Sequence, residues 1–258
     1  GSKRATPILI NGMRRLEYRG YDSTGIAIKD EDISIFKKVG KVSEMQSILP
    51  LNVQGVTGIG HTRWATHGGV TDANAHPHAS ASGDVVIVHN GIINNSRILR
   101  ASLVAKGVEL KSETDSEALA HLIEIELSVD NNPEAAVRRT LQKARGTWGL
   151  CALFKNHDLI VVARNGSPLV IGKGDDETFI SSDRPTLSEF TDRVVDLQDG
   201  DIAVITATSI TRSTLKGDSK KVEISVLEKS WGEADLGEYE HYMLKEIHEQ
   251  PDALRHCI

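Results

Sequence analysis

The segment Val85-Val86-Ile87-Val88, followed by His89-Asn90-Gly91, decides the fold. Four β-branched residues in a row are expected of a strand that is covered on both faces, because a half-exposed strand alternates apolar and polar residues. The sequence His89-Asn90-Gly91 is a turn signal and predicts that the strand ends there. We therefore expect a sheet that is packed between other layers of structure.

Helical and strand patterns fill the rest of the chain. The apolar spacing predicts helices over residues 6–19, from Asn94 or Asn95 through Leu103, around residues 119–125, over 133–144 and over 239–254. Strands are predicted over residues 25–28, 33–36, 56–61, 147–154, 159–163, 169–171, 178–181 and 202–206. The helices cluster centrally with strands on both sides, which favours one domain whose sheets pack between helices.

Composition and charge exclude several classes of protein. The chain has 258 residues, a formal net charge of -6 and 39% hydrophobic residues, which is typical of a soluble globular protein rather than a general nucleic-acid binder. It shows neither an apolar run long enough to span a bilayer nor a secretory signal. Cys151 and Cys257 are too few for a disulfide framework, and Cys151 is expected to be a buried strand residue. We therefore expect a cytoplasmic protein with one large domain or two small ones.

The run Gly58-Ile59-Gly60-His61-Thr62-Arg63-Trp64-Ala65-Thr66-His67-Gly68 is the strongest candidate for a ligand site. Arg63 is placed to clamp a carboxylate through a two-pronged hydrogen bond, with Thr66 and His67 as further donors. The alternative for Arg63 is an ordinary surface ion pair. Trp64 has two interpretations, a core residue or a cap over a pocket on a mobile loop.

The histidines raise the question of a metal site. His61, His67, His76, His78 and His89 are close in sequence, but no cysteine or acidic partner nearby completes a tetrahedral set. We therefore expect no metal.

Two further positions have both a functional and a structural interpretation. Asn90 and the Gly91 backbone N–H form a plausible oxyanion hole, although the same pair could simply end a strand. Asp115 could hold an ammonium group, although a carboxylate at the start of a helix also complements the helix dipole. Arg63 and Asp115 in one site would bind an amino acid.

Six segments together resemble a known family. They are Leu16–Ser23, His61–Gly68, Asn74–His78, His89–Gly91, Ser112–Asp115 and His241–Glu246. In this order they are similar to the N-terminal glutaminase domain of glutamine–fructose-6-phosphate amidotransferases, which are class II amidotransferases of the N-terminal-nucleophile hydrolase fold. The first and last segments look specific to these enzymes.

The resemblance implies an α+β fold, a four-layer α/β/β/α sandwich, in a single glutaminase domain over residues 1–258. It implies glutamine hydrolysis without a cofactor, with ammonia passed to sugar-phosphate isomerase domains of the same full-length protein, a homodimer that makes glucosamine 6-phosphate. Arg63, Thr66 and His67 would hold the glutamine α-carboxylate. Asp115 and the Gly91 backbone would hold the α-amino group, and Asn90 and Gly91 would form the oxyanion hole. Trp64 would lie on the loop that covers the glutamine, and Arg19 would lie near the nucleophile.

One departure from the family pattern concerns the nucleophile. In the family it is a cysteine at the mature N-terminus that opens a strand of about seven residues. This chain begins Gly1-Ser2-Lys3-Arg4-Ala5, and Lys3-Arg4 aligns just after that strand. We therefore expect the chain by itself to be inactive. The alternatives are a non-catalytic amino-acid-binding or regulatory module on the same fold, or another class II amidotransferase.

Overall fold

The computed structural model describes residues 1–227, residue 239 and residues 242–256. The helices are α1 Ala5–Leu16, α2 Val42–Ser47, α3 Ser96–Ala105, α4 Glu117–Asp130, α5 Pro133–Lys143 and α6 Tyr242–His256. The strands are β1 Ser23–Lys29, β2 Ile33–Val39, β3 Thr57–Arg63, β4 His78–Ala79, β5 Val85–Ile93, β6 Gly146–Phe154, β7 Ile160–Asn165, β8 Val170–Lys173, β9 Thr178–Ser181, β10 Arg193–Asp196, β11 Asp201–Ile205, β12 Ile210–Thr214, β13 Ser219–Lys220 and β14 Ser225–Val226. Residues Gly1–Leu227 form one compact unit, and Glu228–Ile258 form a second.

Three antiparallel sheets make up the interior of the first unit. The large sheet has the order β13-β12-β11-β7-β6-β5-β4, and the two small sheets have the orders β2-β1-β3 and β14-β10-β8-β9. Helices α3, α4 and α5 cover one face of the large sheet through a shared apolar core. The small sheets pack on its other face, and α1 and α2 cover the three-stranded sheet. The four-layer α/β/β/α arrangement is thus confirmed, with one β layer divided into two sheets.

Strand β5 lies between β6 and the short edge strand β4 of the large sheet, with other layers on both of its faces. Val85 and Ile87 face the helices, whereas Val86 and Val88 face the small sheets, and all four are at most 6% exposed. Coverage on both faces, expected from the unbroken β-branched run, is therefore confirmed.

The predicted end of this strand at His89-Asn90-Gly91 is wrong. The strand continues to Ile93, and Asn90 and Gly91 pair in register with Gly149 and Trp148 of β6. Gly91 has a φ of +141°, and a Cβ there would lie 2.2 Å from the carbonyl oxygen of Thr147. Glycine at this position therefore permits close pairing with β6 where the dipeptide alone suggested a turn.

The other predicted helices and strands of the first unit lie within a few residues of their expected positions. The differences are elements that were not predicted and one predicted helix cap. Helix α2 and the strands β4, β10, β12, β13 and β14 were not predicted. Asn95 stands at the start of α3 as expected, but its side chain does not cap that helix. It instead donates to the carbonyl of Lys143 and accepts from the amide of Arg145, which fastens the start of α3 to the end of α5.

The second unit contains α6, which carries Pro251 within the helix and a Lys245–Glu249 ion pair at 3.7 Å. A helix was expected from Tyr239 and begins at Tyr242. His241 and Cys257 lie outside the described residues. A single glutaminase domain over residues 1–258 stays a prediction.

A slot separates the two small sheets. Among the described strands, β3 is an edge strand of the three-stranded sheet, and β9 is an edge strand of the four-stranded sheet. The slot is lined by both strands, by Leu9 and Met13 of α1 above, and by Val88 and Cys151 of the large sheet below. Two of its walls are strand edges, whose backbone hydrogen-bonding groups could pair with one more strand.

We expect Gly91→Ala to destabilise the first unit by about 1–3 kcal/mol, because the new methyl group needs a strained φ and meets the Thr147 carbonyl. Chemical denaturation followed by circular dichroism measures the loss. Gly107→Ala is the matched control, because Gly107 has a φ of +83° but no atom within 4 Å of the added Cβ. Equal losses in the two variants would contradict the role of the close approach to Thr147.

Candidate functional site

One cleft of the first unit contains every residue predicted from the sequence for the site. The predicted residues that line this cleft are Arg19, Arg63, Trp64, Thr66, His67, Asn90, Gly91 and Asp115. They come from the short turn after α1, the end of β3 and its following loop, the middle of β5 and the segment before α4. The convergence of an arginine and an aspartate, which spacing alone left open, is therefore observed.

Arg63 closes β3 and is only 5% exposed. Its guanidinium donates to the carbonyl of His67 and, at 3.3 Å, to that of Gly69, so the chain after β3 curls around the cation. Burial lowers the pKa of Arg63, while Asp22 and Asp115 act in the opposite direction. Because arginine stays protonated in proteins, the cleft keeps a fixed positive charge. A ligand carboxylate would use the guanidinium donors that remain.

The loop after β3 is held in place by polar contacts on both sides. Asn74 donates to the Gly69 carbonyl at 3.0 Å and accepts from the Glu113 amide at 2.8 Å. Lys37 of β2 donates to three carbonyls of the same loop, those of Ala73, Ala75 and Pro77. Burial lowers the pKa of Lys37 to about 8. Sequence reasoning missed Lys37 and Glu113, because their partners lie more than thirty residues away in the sequence.

Trp64 is 58% exposed, so its interpretation as a core residue is wrong. Its ring contacts that of Tyr21 edge-on, with centroids 6.1 Å apart. Thr66 and His67 lie beside it, with Nδ1 of His67 3.4 Å from Oγ1 of Thr66. These three side chains therefore form the outer rim of the cleft, where a covering loop would be needed.

Asn90 and Asp115 face the cleft from neighbouring elements. Asn90 is exposed on β5, and Asp115 is 6% exposed immediately before α4. Asp115 Oδ2 accepts the Ile93 amide at 2.7 Å, so the carboxylate is tied to the end of β5. This bond explains the position of Asp115 better than the helix dipole does. Arg19 lies across the cleft, with its guanidinium 3.5 Å from the Ser182 carbonyl and from Asp183.

A buried carboxylate supports the segment that carries Asp115. Glu117 accepts the amides of Lys111 and Ser112 at 2.6 and 2.9 Å and is 2% exposed. Burial alone would raise the pKa of Glu117, but His121 and these amides lower it to about 2. The charged form therefore fixes the turn before α4.

Four histidines are packed behind the cleft. The ring centroids of His61 and His76 lie 4.5 Å apart, as do those of His76 and His78. Their other contacts are to hydroxyl and backbone groups, including Nε2 of His78 to Thr114 Oγ1 at 3.1 Å. In the described part of the chain, no group of three or more potential ligand side chains is arranged to hold a metal ion. Burial lowers the pKa of His61 and of His78 to about 3, so these imidazoles are neutral at pH 7.

Comparison with known proteins shows which protein family this chain belongs to. The model of the glutamine amidotransferase domain family matches residues 61–189, which is half of the chain and includes Arg63, Asn90, Gly91 and Asp115. The chain belongs to the glutamine amidotransferase family.

Curated relatives narrow the similarity further. The chain is 45% identical to glutamine–fructose-6-phosphate aminotransferase (isomerizing) of Chlorobaculum tepidum, over 99% of this chain and 43% of the relative. It is 43% identical to the enzymes of the same name from Bacteroides thetaiotaomicron and Thermus thermophilus, over 100% of this chain and 43% of each relative. The chain thus spans less than half the length of these relatives.

Solved structures support the fold alone. The glutamine phosphoribosylpyrophosphate amidotransferase of B. subtilis matches with a TM-score of 0.72 and 23% identity, over 86% of this chain and 48% of that chain. The regulatory enzyme of purine biosynthesis matches with a TM-score of 0.70. The chain therefore shares its α+β fold with these two enzymes. No helix among the described residues is long and apolar enough to cross a membrane.

The buried histidines predict a loss of stability in mild acid. An unfolded histidine takes up a proton below pH 6.5, whereas folded His61 and His78 do so only near pH 3. Between these values the unfolded state binds more protons, so the free energy of unfolding falls as the pH falls. Urea titrations at a series of pH values measure the slope.

His78→Gln removes one such group and reduces the slope, because an amide can replace Nε2 toward Thr114 without titrating. Thr114→Ala is the control, since it removes the same hydrogen bond and leaves the histidine in place. An unchanged slope in the His78 variant would contradict the assignment.

For Arg63 we expect that Arg63→Ala abolishes binding of glutamate or glutamine in any protein that carries the full first strand of the family. The variant loses the cleft's cation and the anchor for the loop carbonyls. Arg63→Lys keeps the charge but not the forked donors, and should also bind more weakly. Isothermal calorimetry measures both, with Arg97→Ala on the exposed side of α3 as control. Unchanged affinity in Arg63→Ala would count against the carboxylate clamp.

Proposed function

We propose that this chain is the glutamine-hydrolysing part of an enzyme that makes glucosamine 6-phosphate from fructose 6-phosphate and glutamine. The proposal is supported by alignments that cover 99% and 100% of this chain with relatives named for that reaction. The sugar-phosphate chemistry belongs to isomerase domains of the same full-length protein, which we expect to be a cytoplasmic homodimer. No cofactor is needed for the hydrolysis.

The substrate would lie between the two charged groups of the cleft. Arg63, Thr66 and His67 hold the α-carboxylate, and Asp115 with the Gly91 backbone holds the α-ammonium group. The opposite charges fix both ends of the amino-acid moiety, so only one orientation of glutamine satisfies them. This leaves the side-chain amide directed toward the interior end of the cleft.

The reaction would be acyl transfer. A thiolate attacks the amide carbon, and donors from Asn90 and Gly91 stabilise the oxyanion that forms. The α-amino group of the N-terminal cysteine takes up the thiol proton and passes it to the leaving nitrogen, so collapse of the tetrahedral intermediate breaks the C–N bond and releases ammonia. Water then attacks the thioester, which yields glutamate and restores the thiol. Trp64 on the rim covers the substrate, and Arg19 lies beside the nucleophile.

The slot between the small sheets is the observation that carries this proposal. It shares Leu16, Gly60, Val88, Cys151, Ile180 and Ser181 with the lining of the cleft, so the two spaces are adjacent. A strand in the slot would pair with β3 and β9 and join the two small sheets into one. Its end would reach the cleft beside Asn90, where a terminal cysteine could attack the substrate.

Cys151 does not suit that role, although it lines both spaces. It is 7% exposed, and burial raises the pKa of its thiol to about 12. The thiolate is the nucleophilic form, so this cysteine is unreactive at neutral pH. Cys151 therefore does not replace the family's nucleophile, and the inactivity of the chain by itself stays a prediction.

The test is glutamate release from glutamine by two proteins. Residues 1–258 alone should release none. The same residues preceded by a seven-residue strand rich in Gly and Ile, with cysteine as its first residue, should release glutamate, and a serine in place of that cysteine should abolish the release.

Release by residues 1–258 alone that is lost in Asn90→Ala would overturn the need for the added strand. Glutamate binding without hydrolysis in every version would favour the amino-acid-binding module. Absence of both binding and hydrolysis would contradict the proposal.

A further inference from the structure

A line of polar groups along the wall of the cleft runs from the Thr147 carbonyl to the Asp115 carboxylate. The ring of His89 lies between them, with Nε2 3.2 Å from the Thr147 carbonyl and Nδ1 2.8 Å from Ser116 Oγ. Ser116 Oγ can also donate to Asp115 Oδ1, which lies 3.3 Å away, so Nδ1 and the carboxylate compete for one hydroxyl proton. His89 and Ser116 are each 3% exposed. Bulk water therefore has little access to the His89 ring and the Ser116 hydroxyl.

The positions of the protons follow from the partners. A carbonyl oxygen only accepts, so Nε2 of His89 carries a hydrogen. In the neutral ring Nδ1 then has no hydrogen and accepts the single hydroxyl proton of Ser116. That proton is unavailable to Asp115, and Oδ1 of the carboxylate receives nothing from Ser116.

Protonation of the ring reverses this arrangement. Nδ1 of an imidazolium donates to Ser116 Oγ, which frees the hydroxyl proton to turn toward Asp115 Oδ1. The other oxygen of Asp115 already accepts the Ile93 amide at 2.7 Å. The carboxylate then has a donor on each oxygen and a positive charge behind it, and both oppose a ligand ammonium group.

We propose that His89 is a positioning residue that controls, through the Ser116 hydroxyl, how well Asp115 accepts the ammonium group of an amino-acid ligand. The proposal rests on the proposed function, which assigns that ammonium group to Asp115. The neutral ring is the binding-competent form. By reciprocity, a ligand ammonium at Asp115 disfavours protonation of His89, so binding in mild acid releases a proton.

The surroundings of His89 favour the neutral form at pH 7. Burial lowers the pKa of His89, while Asp115 and the Thr147 carbonyl act in the opposite direction. The other titratable groups nearby are Arg63 and His61 of β3 and His76 of the following loop, whose Nδ1 accepts the His89 amide at 3.4 Å. None of these three is an acid, so Asp115 is the carboxylate to which the ring responds.

The first experiment measures L-glutamate affinity by calorimetry from neutral to acid pH. Affinity should fall as the pH drops through the pKa of His89, by at most about tenfold per pH unit because one proton is exchanged. His89→Gln should abolish this dependence, since its amide can still donate to Thr147 but cannot titrate. Ser116→Ala should reduce it, because the hydroxyl link is lost.

Glutarate is the matched control ligand, because it lacks the amino group and should show no such dependence. A wild-type dependence that persists in His89→Gln, or one that is equal for glutarate, would overturn the proposal.

The second experiment needs no ligand. Nitrogen-15 NMR of the His89 ring should show the Nε2–H tautomer at neutral pH, and Asp115→Asn should lower the pKa of the ring. The Nδ1–H tautomer, or a titration unchanged by Asp115→Asn, would overturn the proposal. Failure of both glutarate and glutamate to bind would count against the proposed function instead, and the spectra would still decide the role of His89.

Discussion

The pairing of β5 with β6 through Asn90 and Gly91 is the constraint on which the rest of the site depends. Because the strand does not turn at Asn90, it extends to Ile93, whose amide binds Asp115. The same pairing brings the Thr147 carbonyl under Gly91 and against the ring of His89. One antiparallel ladder therefore sets the relative positions of the groups proposed for the oxyanion and for the ammonium group.

Several polar groups around this ladder are buried, and each stabilises the fold only while its hydrogen-bond partners are in place. An unpaired buried polar group costs free energy, whereas a satisfied network makes the arrangement rigid. Arg63 with the carbonyls of His67 and Gly69, and Glu117 with the amides of Lys111 and Ser112, are two such networks. Their hydrogen bonds hold the irregular loops in place, so charged side chains can face a ligand with little reorganisation.

The sequence predicted the layers well because apolar periodicity reports burial directly. The unbroken run from Val85 to Val88 indicated coverage on both faces, and the mixture of polar types around Arg63 indicated a ligand site. The strand through Asn90 and Gly91 was missed because the turn preference of that dipeptide is local, whereas the pairing that overrides it comes from β6, more than fifty residues away. Lys37, Ser116 and the relay through His89 were missed for the same reason, since each acts through a partner that only the fold brings near.

The division of one β layer into two sheets has a consequence for the order of assembly. Helix α1 lies over the slot between β3 and β9, and the large sheet closes it from below. A strand offered from solution would have to enter along the length of the slot or wait until α1 lifts. By the second route, the rate of occupation would be limited by how fast the helix undocks, whatever the affinity of the strand. A strand present before α1 docks avoids this barrier, so the timing of chain folding would govern whether the layer becomes continuous.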